Sequence, residues 1–362
     1  MDLALYNPDP ESPGYYLNPK ISIGSQGDFI TAPELSDLFG FALAESIYPV
    51  LKQCDNPCIL ELGAGSGKLA ADILSRLKDL NLLPNNYFIL ERSGVFKKIQ
   101  YEYLNKQHPD FIKKIIWLDN LENIKNSKFN GVILGNEVCD ALCVKLFKKI
   151  DKKNFELFVG PEINHPENLK QNLKFYPEAP DPELLKIIQE IESRQGVFPD
   201  GYQSEICLVL KPWLSYLNQF LNQGIFLFID YGHAEKDYYS AHRSTGTLLS
   251  YQEHKAYDNP LVNIGQRDIT AHVNFSWLAE IGVNHLGLDL LGYNTQMMFL
   301  AACHIDQLRA NYQPENLKNI KNLNILMHPD LMGEVFKVMA LGKNIPEESM
   351  TGFEFQDLRH LL

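Results

Sequence analysis

No apolar run in this chain of 362 residues approaches the ~20 residues that a helix needs to cross a bilayer. No secretory h-region or basic amphipathic transit segment opens it. A spanning helix is therefore excluded, and a cytoplasmic location is the expectation. Cationic charge is also short. Lys and Arg number 33 against 45 Asp and Glu, a net charge of −12, which argues against nucleic acid as the main partner because binding phosphates takes a positive surface. The single lysine cluster, Lys145 to Lys153, reads as the solvated face of a hairpin. The cysteines lack metal-site spacing: Cys54-x3-Cys58 and Cys139-x3-Cys143 match no zinc motif, so no metal is expected and reduced thiols are the default. Internal repeats and low-complexity tracts are missing too. What remains, 45% hydrophobic and 22% charged residues, is ordinary for a globular protein, and the length implies one sizeable core with insertions or two lobes.

One stretch organises that core. Cys58-Ile59-Leu60-Glu61-Leu62 is an apolar run with strand character, and Leu69, Ala70, Ile73, Leu74 and Leu77 share one face at helical spacing. Between them lie Gly63, Ala64, Gly65, Ser66 and Gly67. Glycine admits positive φ and lets a ligand approach bare backbone, and the N–H groups of the next helix attract polar groups. The spacing does not give G-x-G-x-x-G, because Lys68 stands where the third glycine would be. Nor does it give a phosphate-cradling loop, because Leu69 follows that lysine. An acid two residues before the first glycine, Glu61-x-Gly63-x-Gly65-x-Gly67, instead resembles the first motif of class I S-adenosylmethionine (SAM) methyltransferases.

Later segments recur with the rhythm of a doubly wound sheet. Tyr87-Phe88-Ile89-Leu90-Glu91 is a second strand, and an acid at its carboxyl end is placed to accept ribose hydroxyls. Ile115 to Leu118 is a third strand, with Asp119 expected to flank the adenine. Gly131 to Asn136 is a fourth, and its end places Asn136, Glu137 and Asp140 toward the transferable methyl. Gly224 to Asp230 is a fifth, with Tyr231-Gly232-His233 as exit loop. Residues 144–205 read as an insertion, a hairpin turning at Asp151-Lys152-Lys153-Asn154 plus a helix at about 183–194, forming one wall of a substrate cleft. The domain reading is residues 1–50 as an N-terminal segment, 51–143 and 206–362 as the core, and 144–205 as the insert. Within the first segment, Gly24 to Glu34 carries Asp28 and Thr31 as lid residues over the cofactor, or Thr31 simply caps the helix that Pro33 and Glu34 start. His233 and His272 stand as structural side chains or proton acceptors.

Taken together, Gly27 to Glu34, Glu61 to Leu69, Asn136-Glu137 with Asp140-Ala141-Leu142, Asp230 to His233, Asp268 to Phe275 and Met332 to Lys337 resemble, in order, the MidA-like family of SAM-dependent methyltransferases. That family includes a mitochondrial protein arginine methyltransferase that assists assembly of respiratory complex I. The resemblance implies an α/β fold: the Rossmann-like doubly wound sheet of class I SAM-methyltransferases, with inserted substrate-side elements. It implies SAM as cofactor and a protein substrate such as a complex I subunit, with a homodimer as a further expectation. The chain departs from the family at Ala64 to Lys68 and at Val138, Cys139 and Cys143, the last three beside the acceptor pocket.

Methyl transfer needs alignment and exclusion of water more than acid–base work. A guanidinium acceptor is cationic, planar and forked, so carboxylates are its natural clamp. The expected catalytic set is Glu137, Asp140, His233 and His272. The expected cofactor set is Glu61, Gly63, Ala64, Gly65, Gly67, Glu91, Asp119, Asn136, Asp28 and Thr31. For each carboxylate the alternative is a helix cap or a structural ion pair. A SAM enzyme acting on a small molecule and a cofactor-binding assembly factor without turnover are the competing readings.

Overall fold

The computed structural model describes residues 1–21, 27, 30–124, 128–162, 173–312 and 317–362. Asp28 of the expected lid lies outside the described residues. Four parallel strands, Cys58–Leu62 (β1), Asn86–Leu90 (β2), Ile115–Leu118 (β3) and Phe129–Asn136 (β4), open the central sheet. The insert follows as Lys145–Ile150 (β5), Lys153–Pro161 (β6), Leu173–Glu178 (β7) and Gln203–Ile206 (β8). The chain then returns as Leu221–His233 (β9), parallel to β4. After the short strands Leu249–Gln252 (β10), Lys255–Tyr257 (β11), Asp268–Thr270 (β12) and Val273–Asn274 (β13) come Asp289–Thr295 (β14) and Phe336–Lys343 (β15).

The central order is β3-β2-β1-β4-β9-β15-β14, with β15 antiparallel to both its neighbours. This is the doubly wound order that the sequence predicts, closed by an antiparallel strand. The order reverses beside β1, so the carboxyl ends of β1, β2 and β4 open onto one crevice. Alternate residues of these strands face opposite layers. Ile59, Val132, Ile225 and Leu227 pack against the helices Asp37–Gln53 and Lys68–Asp79. Leu60, Ile133, Phe226 and Phe228 pack against Leu210–Asn218 and Phe275–Glu280. At the sheet's centre a side chain has no room: a Cβ on Gly131 would sit 2.0 Å from the Cys58 carbonyl oxygen, and one on Gly224 would sit 1.8 Å from that of Gly131.

Three expectations shift in detail. The Pro33 helix is split: Ala32–Leu35 forms one turn, and Ser36 then caps the long helix by accepting the Leu38 N–H at 3.3 Å. The insert is a four-stranded antiparallel sheet, β7-β6-β5-β8, rather than a lone hairpin. Its first turn is tight because Asp151 and Lys152 are both left-handed, with φ of 48° and 64°, the geometry that matches strand twist. The lysine cluster is not a uniformly solvated face either. Lys149 points inward, its side chain 5% exposed, and pairs with Glu192 at 2.6 Å. That pair, with Phe147, Ile188, Ile191 and Tyr202, joins the insert sheet to the helix Pro182–Gln195.

Candidate active site

A cavity of about 290 Å³ lies at the sheet's topological switch. Its floor is the loop after β1, where Gly63, Gly65 and Gly67 are all left-handed (φ 61°, 52° and 87°). That conformation costs an L-residue roughly 1–2 kcal/mol, which is why glycine recurs here. The loop is fixed by the Gly63 N–H to Leu90 O (3.0 Å) and the Gly67 N–H to Ala64 O (2.7 Å). The Ser66 hydroxyl donates to Glu34 and so ties the loop to the N-terminal layer.

Two acids flank the floor. Glu61 points from β1 into the same space, accepts the Tyr87 hydroxyl at 2.8 Å, and is pushed up to about 8 by burial. Glu91, just past the end of β2, accepts the Ser93 N–H at 2.9 Å and is likewise raised by burial. Gln100 links the parts: its amide donates to Glu91 (3.0 Å) and to Gly65 O (3.1 Å), while its oxygen accepts the Trp117 indole (3.0 Å). It is fully buried. Nothing in the helical pattern around Gln100 marks it, because its partners come from three other elements. Asp119 departs from the expected placement. Its side chain turns out to solvent beyond β3, is 81% exposed, and pairs with Lys97, so it does not line the cavity.

The acceptor side is built by the end of β4. Asn136 and Glu137 line the cavity. Glu137 is left-handed at φ 53° and is held there by its N–H to Ile229 O at 2.9 Å. The Asn136 amide (3.2 Å) and the Ala32 N–H donate to its carboxylate. Burial first, then the neighbouring Asp140 charge, pushes Glu137 up to about 8. Asp140 stands behind this front and does not line the cavity: its Oδ2 accepts the Tyr231 hydroxyl, its Oδ1 is buried without a hydrogen-bond partner among the described residues, and burial raises it to about 6 against the Tyr231 hydroxyl and the local backbone N–H groups. The histidines lie elsewhere. His272 Nδ1 is 3.2 Å from His233 Nε2, and neither ring borders the main cavity. Burial lowers His233 to about 3 and His272 to about 4. They form a neutral pair behind Tyr231, whose ring meets His272 edge-on.

Thr31 lines the cavity while occupying the N-cap position of Ala32–Leu35, where its side chain makes no cap bond. Arg92, Phe96 and Trp213 are among the wall residues that escaped the motif reading, as are Tyr6 and Tyr16. Their rings stack at 5.3 Å, the Arg92 guanidinium lies 4.0 Å over Tyr6, and the Ser93 hydroxyl donates to Tyr16 O at 2.6 Å. The signal available was the Leu5-Tyr6-Asn7-Pro8 segment, which says nothing about where it docks.

The donor set fits SAM. A buried acid faces each end of a bare-backbone loop, one suited to an ammonium and one to ribose hydroxyls, and Asn136 Oδ1 is buried beside them without a partner among the described residues. Comparison with known proteins agrees. A family model described as S-adenosyl-L-methionine-dependent methyltransferase matches residues 42–294. A superfamily member from Burkholderia thailandensis, solved with S-adenosyl-homocysteine bound, is 33% identical with a TM-score of 0.90, over 100% of this chain and 91% of that one. Protein arginine methyltransferase NDUFAF7, mitochondrial, of Homo sapiens is 28% identical, the match covering 98% of this chain and 81% of the human protein. The NDUFAF7 homolog of Drosophila melanogaster is 26% identical over 91% and 77%. The chain belongs to the family of SAM-dependent methyltransferases.

Proposed function

We propose that this methyltransferase transfers the methyl group to an arginine guanidinium of a protein. The observation that carries the reading is Glu137, a half-buried carboxylate held in a left-handed backbone on the same cavity as the glycine loop and Glu91. The names of the relatives point to the same acceptor.

SAM, when bound, supplies a methyl group already activated on a sulfonium. In this reading Glu61 takes the amino-acid ammonium, and the backbone of Gly63, Ala64, Gly65 and Gly67 passes beneath the ligand. Glu91 accepts the ribose hydroxyls, and Asn136 and Thr31 complete the shell. Glu137 holds the guanidinium fork, with Asp140 as the second negative charge behind it. Both acids sit high without a counter-charge, and an arriving cation draws each into its ionised form. The carboxylates then keep positive charge on the far nitrogens and leave one nitrogen to attack, and the proton released by the product returns to this acidic pair. The neutral His233–His272 pair has no direct contact with the acceptor in this scheme.

The test is incubation with methyl-labelled SAM and a host extract, separation of protein from small molecules, and hydrolysis of the labelled protein. Methylarginine is expected, and by family resemblance a respiratory complex I subunit is the proposed carrier. Glu137→Gln should keep SAM affinity while lowering transfer by ~10²-fold. Label confined to small molecules would transfer the reading to a small-molecule acceptor.

A further inference from the structure

The fifth parallel strand ends in Asp230-Tyr231-Gly232-His233, and none of these side chains borders the main cavity. Two of them nevertheless grip the loop that carries Glu137 and Asp140. Asp230 Oδ2 accepts three consecutive backbone N–H groups, from Val138 (3.2 Å), Cys139 (2.9 Å) and Asp140 (3.2 Å). Its other oxygen takes the Tyr231 N–H at 3.0 Å. One fully buried carboxylate thus fixes the turn that follows Glu137. Tyr231 acts on the side chain instead: its hydroxyl donates to Asp140 Oδ2, which leaves Oδ1 as the oxygen without a partner among the described residues.

The surroundings leave this pair little freedom. A Cβ on Gly232 would lie 2.1 Å from Val273 O, so β9 and β13 are in close contact just past Tyr231. The Ala271 N–H donates to Asp140 O at 3.0 Å and pins the loop from the next segment. Phe336 and His272 pack edge-on against the Tyr231 ring at 5.4 and 5.2 Å. The ring therefore cannot swing, and its hydroxyl is delivered to one place.

We propose that Asp230 and Tyr231 are positioning residues of the acceptor site, Asp230 by holding the backbone from Val138 to Asp140 and Tyr231 by fixing the Asp140 carboxylate behind Glu137. The inference rests on the guanidinium reading above. It separates the two acids by task, with Glu137 lining the cavity and Asp140 supplying charge through a fixed orientation.

The hydroxyl also sets when Asp140 ionises. Burial is the largest influence on Asp140 and the Tyr231 hydrogen bond opposes it. The charged and titratable groups around it are Glu137 on its own loop, Asp230 and Tyr231 from β9, and Asp268 from β12, with Tyr251 from β10 and Tyr6 and Tyr16 from the N-terminal segment. The neighbouring acids disfavour its charge. Removing the hydroxyl lets Asp140 hold its proton to higher pH, so an acceptor that needs its charge is served only at higher pH.

The experiment compares wild type, Tyr231→Phe and Asp230→Asn, with methyl-labelled SAM and protein from host cells lacking this chain. Initial rates are followed across pH, and S-adenosyl-homocysteine affinity is measured by calorimetry. Tyr231→Phe should bind S-adenosyl-homocysteine within about twofold of wild type while the acid limb of its rate profile moves up by about one pH unit. Asp230→Asn should lower the rate at least about tenfold at every pH, because an amide cannot accept as strongly from three N–H groups. If Asp230→Asn does not fold, Tyr231→Phe decides alone. An unshifted acid limb in Tyr231→Phe, with wild-type labelling still on arginine, overturns the positioning role and leaves the guanidinium reading intact. Wild-type label on another residue type, with the limb still shifted, overturns the guanidinium reading and keeps the link between Tyr231 and Asp140.

Discussion

Replacing Glu61 by Gln tests the electrostatics of the cofactor floor. In the folded chain the Glu61 carboxyl is raised from 4.5 to about 8, first by burial and then by the Glu91 and Asp72 charges, against the pull of the Tyr87 hydrogen bond. A folded-state value above the unfolded one means that the native state holds a proton the unfolded state has lost. The stability this confers is complete below about pH 4.5 and is lost as pH rises toward about 8. The interval corresponds to roughly 5 kcal/mol at 1.36 kcal/mol per pH unit. Glu61→Gln carries the neutral shape at every pH, so its ligand-free form should melt close to wild type in mild acid and above it at alkaline pH. Asp72 and Glu137 are raised as well, but both are present in the two proteins and largely cancel in the difference. SAM should reverse the order: its ammonium favours the ionised carboxylate, so binding to wild type releases a proton and stabilises most where the ligand-free form is weakest. Thermal melts across pH, with and without SAM, read both effects. Parallel curves for the two proteins at every pH would refute the buried-charge argument, and unchanged SAM affinity in Glu61→Gln would remove Glu61 from the cofactor shell.

Gly65→Val should abolish SAM binding by calorimetry while the protein stays folded, because a branched residue is strained at φ 52° on the cavity floor. Gln100→Leu leaves Glu91, Gly65 O and the Trp117 indole each short of a partner; SAM affinity should fall at least about tenfold at neutral pH and recover partly in alkali, since Glu91 without that donor ionises later. Lys149→Met strands Glu192 inside the insert and should cost about 3–5 kcal/mol in denaturant melts, whereas the exposed Lys153→Met should change stability by less than about 0.5 kcal/mol.

The parts of this site that could be read from the chain are those where chemistry and local geometry coincide. Gly63, Gly65 and Gly67 fall between a strand and a helix, and the turn they form needs left-handed backbone at each. Glu91 and Glu137 each follow an apolar run, and a parallel sheet puts the ends of such runs at the ligand side. Asp119 meets the same criterion and fails, because Lys97, one turn into the helix Gly94–Gln107, offers it an ion pair in solvent. That choice depends on how the helix sits against β3, which no local pattern encodes. Gln100 and Lys149 were illegible for the same reason: their partners lie on other elements, and a polar side chain inside a helix or strand pattern looks like surface until those elements are assembled.

The Asp230 and Asp140 pair shows where motif reading divides. Both acids follow strand-like runs, and the sequence reading places Asp140 toward the transferable methyl while Asp230 only ends the fifth strand. The structure separates them by what their oxygens meet. Asp230 is saturated by backbone N–H groups, and a carboxylate that already accepts four donors has little left to offer a ligand. Asp140 keeps one buried oxygen without a partner among the described residues, which is costly unless something completes it. The distinction extends to the histidines: His233 and His272 face each other and are held neutral by burial, so a charged acceptor would find no counter-charge there. In this fold an acid's remaining hydrogen-bond capacity, rather than its place in a motif, separates residues that hold the loop from residues left to meet what enters it.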